Sequence, residues 1–304
     1  MKNVKKLSLA LSVAATLLVA PISYAQTALV FQSDFGLKDG AVSAMKGVSI
    51  GVDASLPIYD LTHEVPTYNV WEASYRLYQS SKYWPKGTVF VSVVDPGVGT
   101  LRKSVVLKTN AGYYFVTPDN GTLTMVAEHQ GIAEIREIDE KINRLAGSAD
   151  SYTFHGRDVY AYTGARLAAG AISFEGVGPK LPDEVIRIKY QHASVKNSII
   201  DGNIPILDPQ FGNVWTNIHQ DLLKEAGIKL GDTLCVTVKH KAETILDTQL
   251  PYLASFGKVK VGEPLVYVNS LLNVSLALNQ ANFAVKYNVA SGAHWTVQFK
   301  QCNE

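Results

Sequence analysis

The spacing of apolar and polar positions changes along the chain. Ala28–Phe31 is a short apolar run that stops at Ser33-Asp34-Phe35-Gly36, a strand ending in a turn. Residues 40–52 read as a helix and Ile58–Leu61 as a second strand. Over Asn69–Ser80, Val70, Ala73, Ser74, Leu77 and Tyr78 recur three and four residues apart, which predicts a helix with one buried face. Thr88–Val94, TVFVSVV, is continuous and β-branched, the pattern of a strand covered on both faces. Ser104–Lys108 and Tyr113–Thr117 flank Asn110-Ala111-Gly112 and predict a hairpin. Arg157–Ala169 reads as a helix closed by Gly170. Alternation of this kind predicts βαβ units and an α/β domain with a mostly parallel central sheet, over residues 26–187.

Beyond about residue 190 the runs shorten. Ile204–Leu207, Thr233–Lys239, Leu265–Val268 and Trp295–Phe299 read as strands, separated by turn pairs such as Asp201-Gly202 and Gly231-Asp232. Only His219–Ala226 and Val274–Gln280 read as helices. Residues 190–304 are therefore expected to form a smaller, mostly β domain. No internal repeat or low-complexity stretch interrupts either part.

The first 25 residues stand apart. Lys2, Lys5 and Lys6 precede an apolar run, Leu7–Ala20, and a small-residue exit, Ser23-Tyr24-Ala25. This is the three-part pattern of a secretory signal peptide, and the run is shorter than the ~20 residues of a membrane span. A periplasmic or secreted protein is expected. In that compartment Cys235 and Cys302 could join as a disulfide or sit as two separate buried thiols; spacing leaves both open.

Composition narrows the classes. Of 304 residues, 47% are hydrophobic and 18% charged, which excludes disordered, collagenous and coiled-coil chains. The formal net charge is +1, and loss of residues 1–25 removes three lysines and no acid. The mature chain is thus slightly acidic, and no nucleic-acid partner is expected.

Ligands of open α/β sheets bind at the carboxyl ends of strands, and polar clusters fall there. Asp34 suits the two hydroxyls of a ribose, or a simple turn. Val94-Asp95-Pro96-Gly97-Val98-Gly99-Thr100, followed by Arg102, pairs a carboxylate and a guanidinium in a glycine-rich loop, or forms a structural turn. Its spacing fits neither a P-loop nor a dinucleotide fingerprint. Thr153-Phe154-His155-Gly156-Arg157-Asp158 offers His155 as a base or donor, or as a packed capping residue. Asp208-Pro209-Gln210-Phe211-Gly212-Asn213 gathers a carboxylate, an aromatic ring and amides in one loop, suited to a ligand with a base and an amine. GxSxG, HExxH and CxxC signatures are missing, and His63-Glu64 lacks a second histidine at metal spacing. A metal site is not expected, although Asp34, Asp95 and His155 could converge on one.

Taken in order, SDFGLKDG (33–40), MKG (45–47), YDLTHEV (59–65), VVDPGVGTLR (93–102), TPDNG (117–121), TFHGRD (153–158) and DPQFGNVWTN (208–217) resemble the S-adenosyl-L-methionine (SAM) hydrolases, also called SAM hydroxide adenosyltransferases. These are related to the SAM-dependent fluorinase and chlorinase. The resemblance spans nearly all of residues 28–280. It implies an N-terminal α/β domain, a C-terminal β-barrel-like domain and a homotrimer, with SAM held between the N-domain of one subunit and the C-domain of its neighbour. The implied reaction is SAM plus water to adenosine and L-methionine, without metal or other cofactor.

By the same resemblance, Asp95, Arg102 and His155 are the catalytic set and Asp34 binds the ribose. Asp208 holds the methionine amine, Phe211 stacks on adenine, Asn213 bonds the adenine edge, and Asn269-Ser270 meets the carboxylate. Arg102 and His155 together favour hydrolysis over halogenation. So do Gly156, where the fluorinase carries a serine halide donor, and the missing fluorinase insertion after Arg102. The segment Asn269-Ser270-Leu271-Leu272-Asn273 departs from the family by lacking its usual glycine and acid. An exported enzyme would also need a source of SAM outside the cytoplasm. The competing readings are an exported adenine-nucleoside binding protein and a chlorinase-like halogenase.

Overall fold

All five residues of β1 (Leu29–Ser33) and of β3 (Val89–Val93) are buried, as expected when helices cover both faces of a sheet. In the computed structural model, which describes residues 27–302, these are interior strands of a six-stranded sheet. The anticipated signal peptide falls outside the described residues. The other strands are β2 (Ile58–Thr62), β4 (Ser104–Lys108), β5 (Tyr114–Pro118) and β6 (Glu134–Glu137), in the order β2-β1-β3-β5-β4-β6. β2, β1, β3 and β5 run parallel. β4 and β6 join antiparallel, so the sheet is mixed.

Alternate residues of each strand face opposite layers. Leu29, Phe31, Val91 and Val93 pack against Met45 of α1 (Ala41–Val52) and Ala165 of α4 (Tyr162–Ala168). Val30, Phe90 and Phe115 pack on the other face against Leu77 of α2 (Val70–Ser81) and Val126 of α3 (Thr124–Gln130). The helix anticipated over Arg157–Ala169 begins as a π-helical turn, Gly156–Ala161, and only then becomes α4.

Residues 194–301 form two antiparallel sheets that share one apolar core. The five-stranded sheet contains β7 (Ser194–Lys196), β8 (Ile199–Asn203), β11 (Thr233–His240), β12 (Glu243–Pro251) and β15 (Trp295–Gln301). The four-stranded sheet contains β9 (Ile206–Leu207), β10 (Val214–His219), β13 (Pro264–Val268) and β14 (Asn273–Leu278). Two short helices, α5 (Asp221–Glu225) and α6 (Phe283–Tyr287), complete it. The described residues form no closed barrel. The helix expected over Val274–Gln280 is instead β14. All six of its residues are buried between β13 and β10; Asn273, Ser275 and Ala277 alternate with Val274, Leu276 and Leu278, and the four-residue spacing of Val274 and Leu278 also fits a helix face.

Cys235 and Cys302 are joined as a disulfide with a Cα–Cα distance of 5.2 Å, which settles the alternative left open above. It fastens the end of β15 to β11. The two halves of the chain meet where Trp71 donates from its indole to the Pro205 carbonyl at 2.8 Å. Trp71 also packs on Tyr190 at 5.1 Å between ring centroids. No described helix is long and apolar enough to cross a membrane.

Candidate active site

The loop after β3 turns back through Gly97 and Gly99, the latter at φ 77°, a backbone conformation that favours glycine. Asn120, from the TPDNG segment, donates to the Val94 carbonyl at 2.9 Å and pins the strand end beside Asp95. Arg102 then folds onto Asp95. Its Nε lies 3.0 and 3.1 Å from the two carboxylate oxygens, and Nη2 lies 2.7 Å from Oδ2. Both side chains are largely withdrawn from solvent, so this pair is held more firmly than a surface ion pair. A second nitrogen, Nη1, donates to Ser104 Oγ at 2.9 Å.

Arg102 Nη2 also lies 2.8 Å from His155 Nδ1. A guanidinium has no acceptor, so Nδ1 must accept. His155 is then a neutral imidazole with its proton on Nε2. Burial, with Arg102 and Arg144 adding repulsion against Glu140 and Asp95, holds its pKa below the ordinary 6.5. Among the described residues, the buried Nε2 has no hydrogen-bond partner. Burial works against the charge of Arg102, yet its bonds to Asp95 carry the pKa above the ordinary value.

Tyr160 backs this set. Its hydroxyl lies 3.1 Å from Ser104 Oγ and donates to Asp95 Oδ2 at 3.4 Å. The Arg102 guanidinium stands 5.6 Å over its ring. Burial and the neighbouring Asp95 raise the Tyr160 pKa strongly, so it remains a donor. Tyr160 and Ser104 were not anticipated from sequence. Tyr160 follows His155 by five residues, and only the π-helical turn brings that spacing onto one side.

Asp34, Asp95 and His155 line a common cavity of about 250 Å³ with Phe35, Tyr68 and Phe154. It lies at the carboxyl ends of β1 and β3, where an α/β sheet binds ligands. The Tyr68 backbone N–H donates to Asp34 Oδ2 at 2.8 Å, from a residue at φ 65°. A left-handed aromatic residue is uncommon and marks a constrained loop. Among the described residues, no three His, Cys, Asp or Glu side chains are arranged to hold a metal ion.

The remaining anticipated residues lie elsewhere on the same chain. Phe211 and Asn213 line a second cavity, about 610 Å³, with Phe256, Asn279 and Asn282. Asp208 accepts from Asn213 Nδ2 at 3.2 Å, so that loop is ordered by its own side chains. Phe211 is 65% exposed. Ser270 borders a third hollow with Tyr83 and Trp84. The structure thus gathers Asp34, Asp95, Arg102 and His155 in one place and Asp208, Phe211 and Asn213 in another. Ser270 is apart from both, and the cavity at Asp34 shares no lining residue with the one at Phe211.

Models of the SAM hydroxide adenosyltransferase N-terminal and C-terminal domains match residues 29–178 and 202–296. The chain is 38% identical over 213 residues to (R)-S-adenosyl-L-methionine hydrolase of Methanocaldococcus jannaschii, covering 69% of this chain and 72% of the relative. It is 30% identical over 295 residues to a fluorinase of Actinopolyspora mzabensis, covering 89% and 96%. A crystal structure of an uncharacterized conserved protein from Thermotoga maritima superimposes with a TM-score of 0.81 at 37% identity, covering 90% of this chain and 100% of that one.

Proposed function

This chain belongs to the SAM hydroxide adenosyltransferase family, and from that premise we propose that it hydrolyses S-adenosyl-L-methionine to adenosine and L-methionine. The observation that carries the reading is the buried Asp95–Arg102–His155 array beside the cavity that Asp34 also lines. A water oxygen attacks ribose C5′, the C5′–S bond breaks, and its electron pair leaves with sulfur as a neutral thioether. The proton of the water passes to solvent. The leaving group needs no acid, so the demand is an oriented nucleophile in line with the bond. Asp95 fixes Arg102, and Arg102 fixes the His155 tautomer. His155 Nε2–H then donates to the attacking oxygen and orients it, while the Arg102 charge favours its hydroxide form. In this tautomer His155 is not the base.

The family also contains halogenases. Against that reading, an added Cβ at Gly156 would stand 3.1 Å from Val93 Cγ1 and 3.2 Å from the Phe35 ring. A serine halide donor there would press on Val93 and Phe35, which would have to give by a few tenths of an ångström.

The division of the anticipated residues between two cavities supports a site completed by the C-terminal half of a neighbouring subunit, in a homotrimer. Asp208, Phe211, Asn213 and Ser270 would there supply the contacts to methionine and adenine. The Cys235–Cys302 disulfide supports export to an oxidising compartment, periplasmic or extracellular, after removal of residues 1–25.

The test is to incubate the mature protein with each sulfonium epimer of SAM and to follow adenosine and methionine by chromatography. Adenosine and methionine in equal amounts are expected. Adenosine binding without turnover would replace the enzyme with a nucleoside-binding protein. 5′-Chloro-5′-deoxyadenosine formed in chloride buffer would replace hydrolysis with halogenation.

A further inference from the structure

His63 belongs to the YDLTHEV segment, which the proposed chemistry leaves without a role. It is buried on β2's exit and held at both ring nitrogens. Nε2 lies 3.1 Å from Asp60 Oδ1, and Asp60 in turn accepts from Lys46 at 2.6 Å. A carboxylate accepts, so Nε2 of His63 carries a proton, and in the neutral ring Nδ1 is then the acceptor. Ser33 Oγ lies 2.6 Å from Nδ1, and with the neutral ring the serine hydroxyl donates to His63. The same Oγ accepts the Phe35 backbone N–H at 3.3 Å. Serine, histidine and aspartate in series resemble a nucleophile triad, but the ring is reversed. The serine meets Nδ1 and the aspartate Nε2, and Ser33 is wholly buried, so its hydroxyl reaches no substrate.

The geometry has a different consequence. Segments 33–36 and 63–68 are clasped along their length. Gly36 N donates to the His63 carbonyl at 2.8 Å, Val65 N to the Ser33 carbonyl at 3.4 Å, and Tyr68 N to Asp34 Oδ2 at 2.8 Å. His63 supplies the side-chain link at one end of this clasp, and the left-handed Tyr68 closes the other end. Between them they set the direction of the Asp34 carboxylate and the position of Phe35, both on the cavity wall.

We propose that His63 is a positioning residue. Through Ser33 it holds the Ser33–Gly36 turn so that Asp34 is preset for the diol of a ribose, and it serves nucleoside affinity rather than the bond-breaking step. This rests on the hydrolase reading for the identity of the ligand, but its readout is binding.

The experiment compares His63→Leu, His63→Asn and Ser33→Ala with wild type, by calorimetric titration with adenosine and by steady-state hydrolysis of SAM. A single lost hydrogen bond of this kind weakens binding by roughly 3- to 10-fold, and loss of a preset turn adds to it. His63→Leu is expected to weaken adenosine binding about 10-fold or more and to raise KM in parallel, with kcat within about 3-fold of wild type. His63→Asn, whose amide oxygen can still accept from Ser33, is expected to recover most of that loss. Ser33→Ala removes the hydroxyl alone and is expected to follow His63→Leu, which keeps the test open should His63→Leu not fold. Unchanged adenosine affinity in Ser33→Ala, or a loss confined to kcat, would overturn the proposal. A wild type that binds adenosine but yields none from SAM refutes the hydrolase reading alone, and the affinities still decide the role of His63.

Discussion

Among single side chains, Arg102 decides the proton inventory of the site. It donates to Asp95, Ser104 and His155 together, which needs the planar fork of a guanidinium. Arg102→Lys keeps the charge but cannot span these partners. We expect kcat/KM to fall by ~10²–10³-fold, the usual effect of removing an oriented electrostatic donor, with the fold retained by circular dichroism. Activity within a few-fold of wild type would show that charge alone suffices.

The His155 tautomer also makes a pH prediction. Protonation would fill Nδ1 and break its bond with Arg102. Because burial holds the pKa below 6.5, the acid limb of the kcat/KM profile should have its midpoint below that value. The effect on stability has the same direction. The unfolded chain takes up this proton first, so the contribution of His155 is intact above about 6.5 and is lost as pH falls through its lower folded value. An acid limb centred above 6.5 would contradict the assigned tautomer.

At the level of elements, the site is built where strands end and irregular backbone begins. β1 and β3 supply rigid, fully buried bases, and the functional groups sit on the turns just beyond them. These strands were legible from their apolar runs, and so was α2, whose Asn69 cap accepts from Glu72 N at 3.0 Å. The π-helical turn was not legible, because its five-residue spacing has no period in an ordinary helical pattern. β14 fits both periods, because Val274 and Leu278 are four apart while Asn273, Ser275 and Ala277 alternate with Val274, Leu276 and Leu278, and only its pairing with β13 and β10 decides for the strand. β12 was not anticipated either, since its exposed residues carry a largely polar sequence.

The disulfide belongs to this scale, closing a loop across a sequence separation of 67. Cross-links of this length typically contribute ~2–4 kcal/mol. Urea unfolding of the Cys235→Ser/Cys302→Ser double variant should show a loss of that order, with β15 the first strand to lose amide-exchange protection. No change in midpoint would mean that the sheet holds this edge unaided.

For the whole molecule, the separation of the two cavities is the informative feature. If the site is shared between subunits, two inactive variants should complement each other. Asp95→Ala damages one half-site and Asp208→Ala the other. Co-expressed at equal levels and assorting at random, they should regain roughly a quarter of wild-type sites. Each variant alone should stay inactive, and sedimentation should report a trimer. A monomer, or a mixture no more active than its parts, would place the complete site within one chain.

The linear order of residues determined the change from an alternating first half to a β-rich second half and placed the candidate site residues beside particular elements. An alternating first half and a β-rich second half are written in local periodicity, and Asp34, Asp95, Arg102 and His155 each follow or flank a recognisable element. Periodicity reports only which face of its own element a residue occupies. It does not report which residues from distant elements share a hydrogen bond. Tertiary structure alone decided that Arg102 bridges Asp95 and His155, that Tyr160 and Ser104 stand behind them, and that His63 grips the turn bearing Asp34. Those contacts span up to 65 residues of sequence. They are set by the packing of strands and helices on a common sheet, which brings the ends of separate elements to one edge.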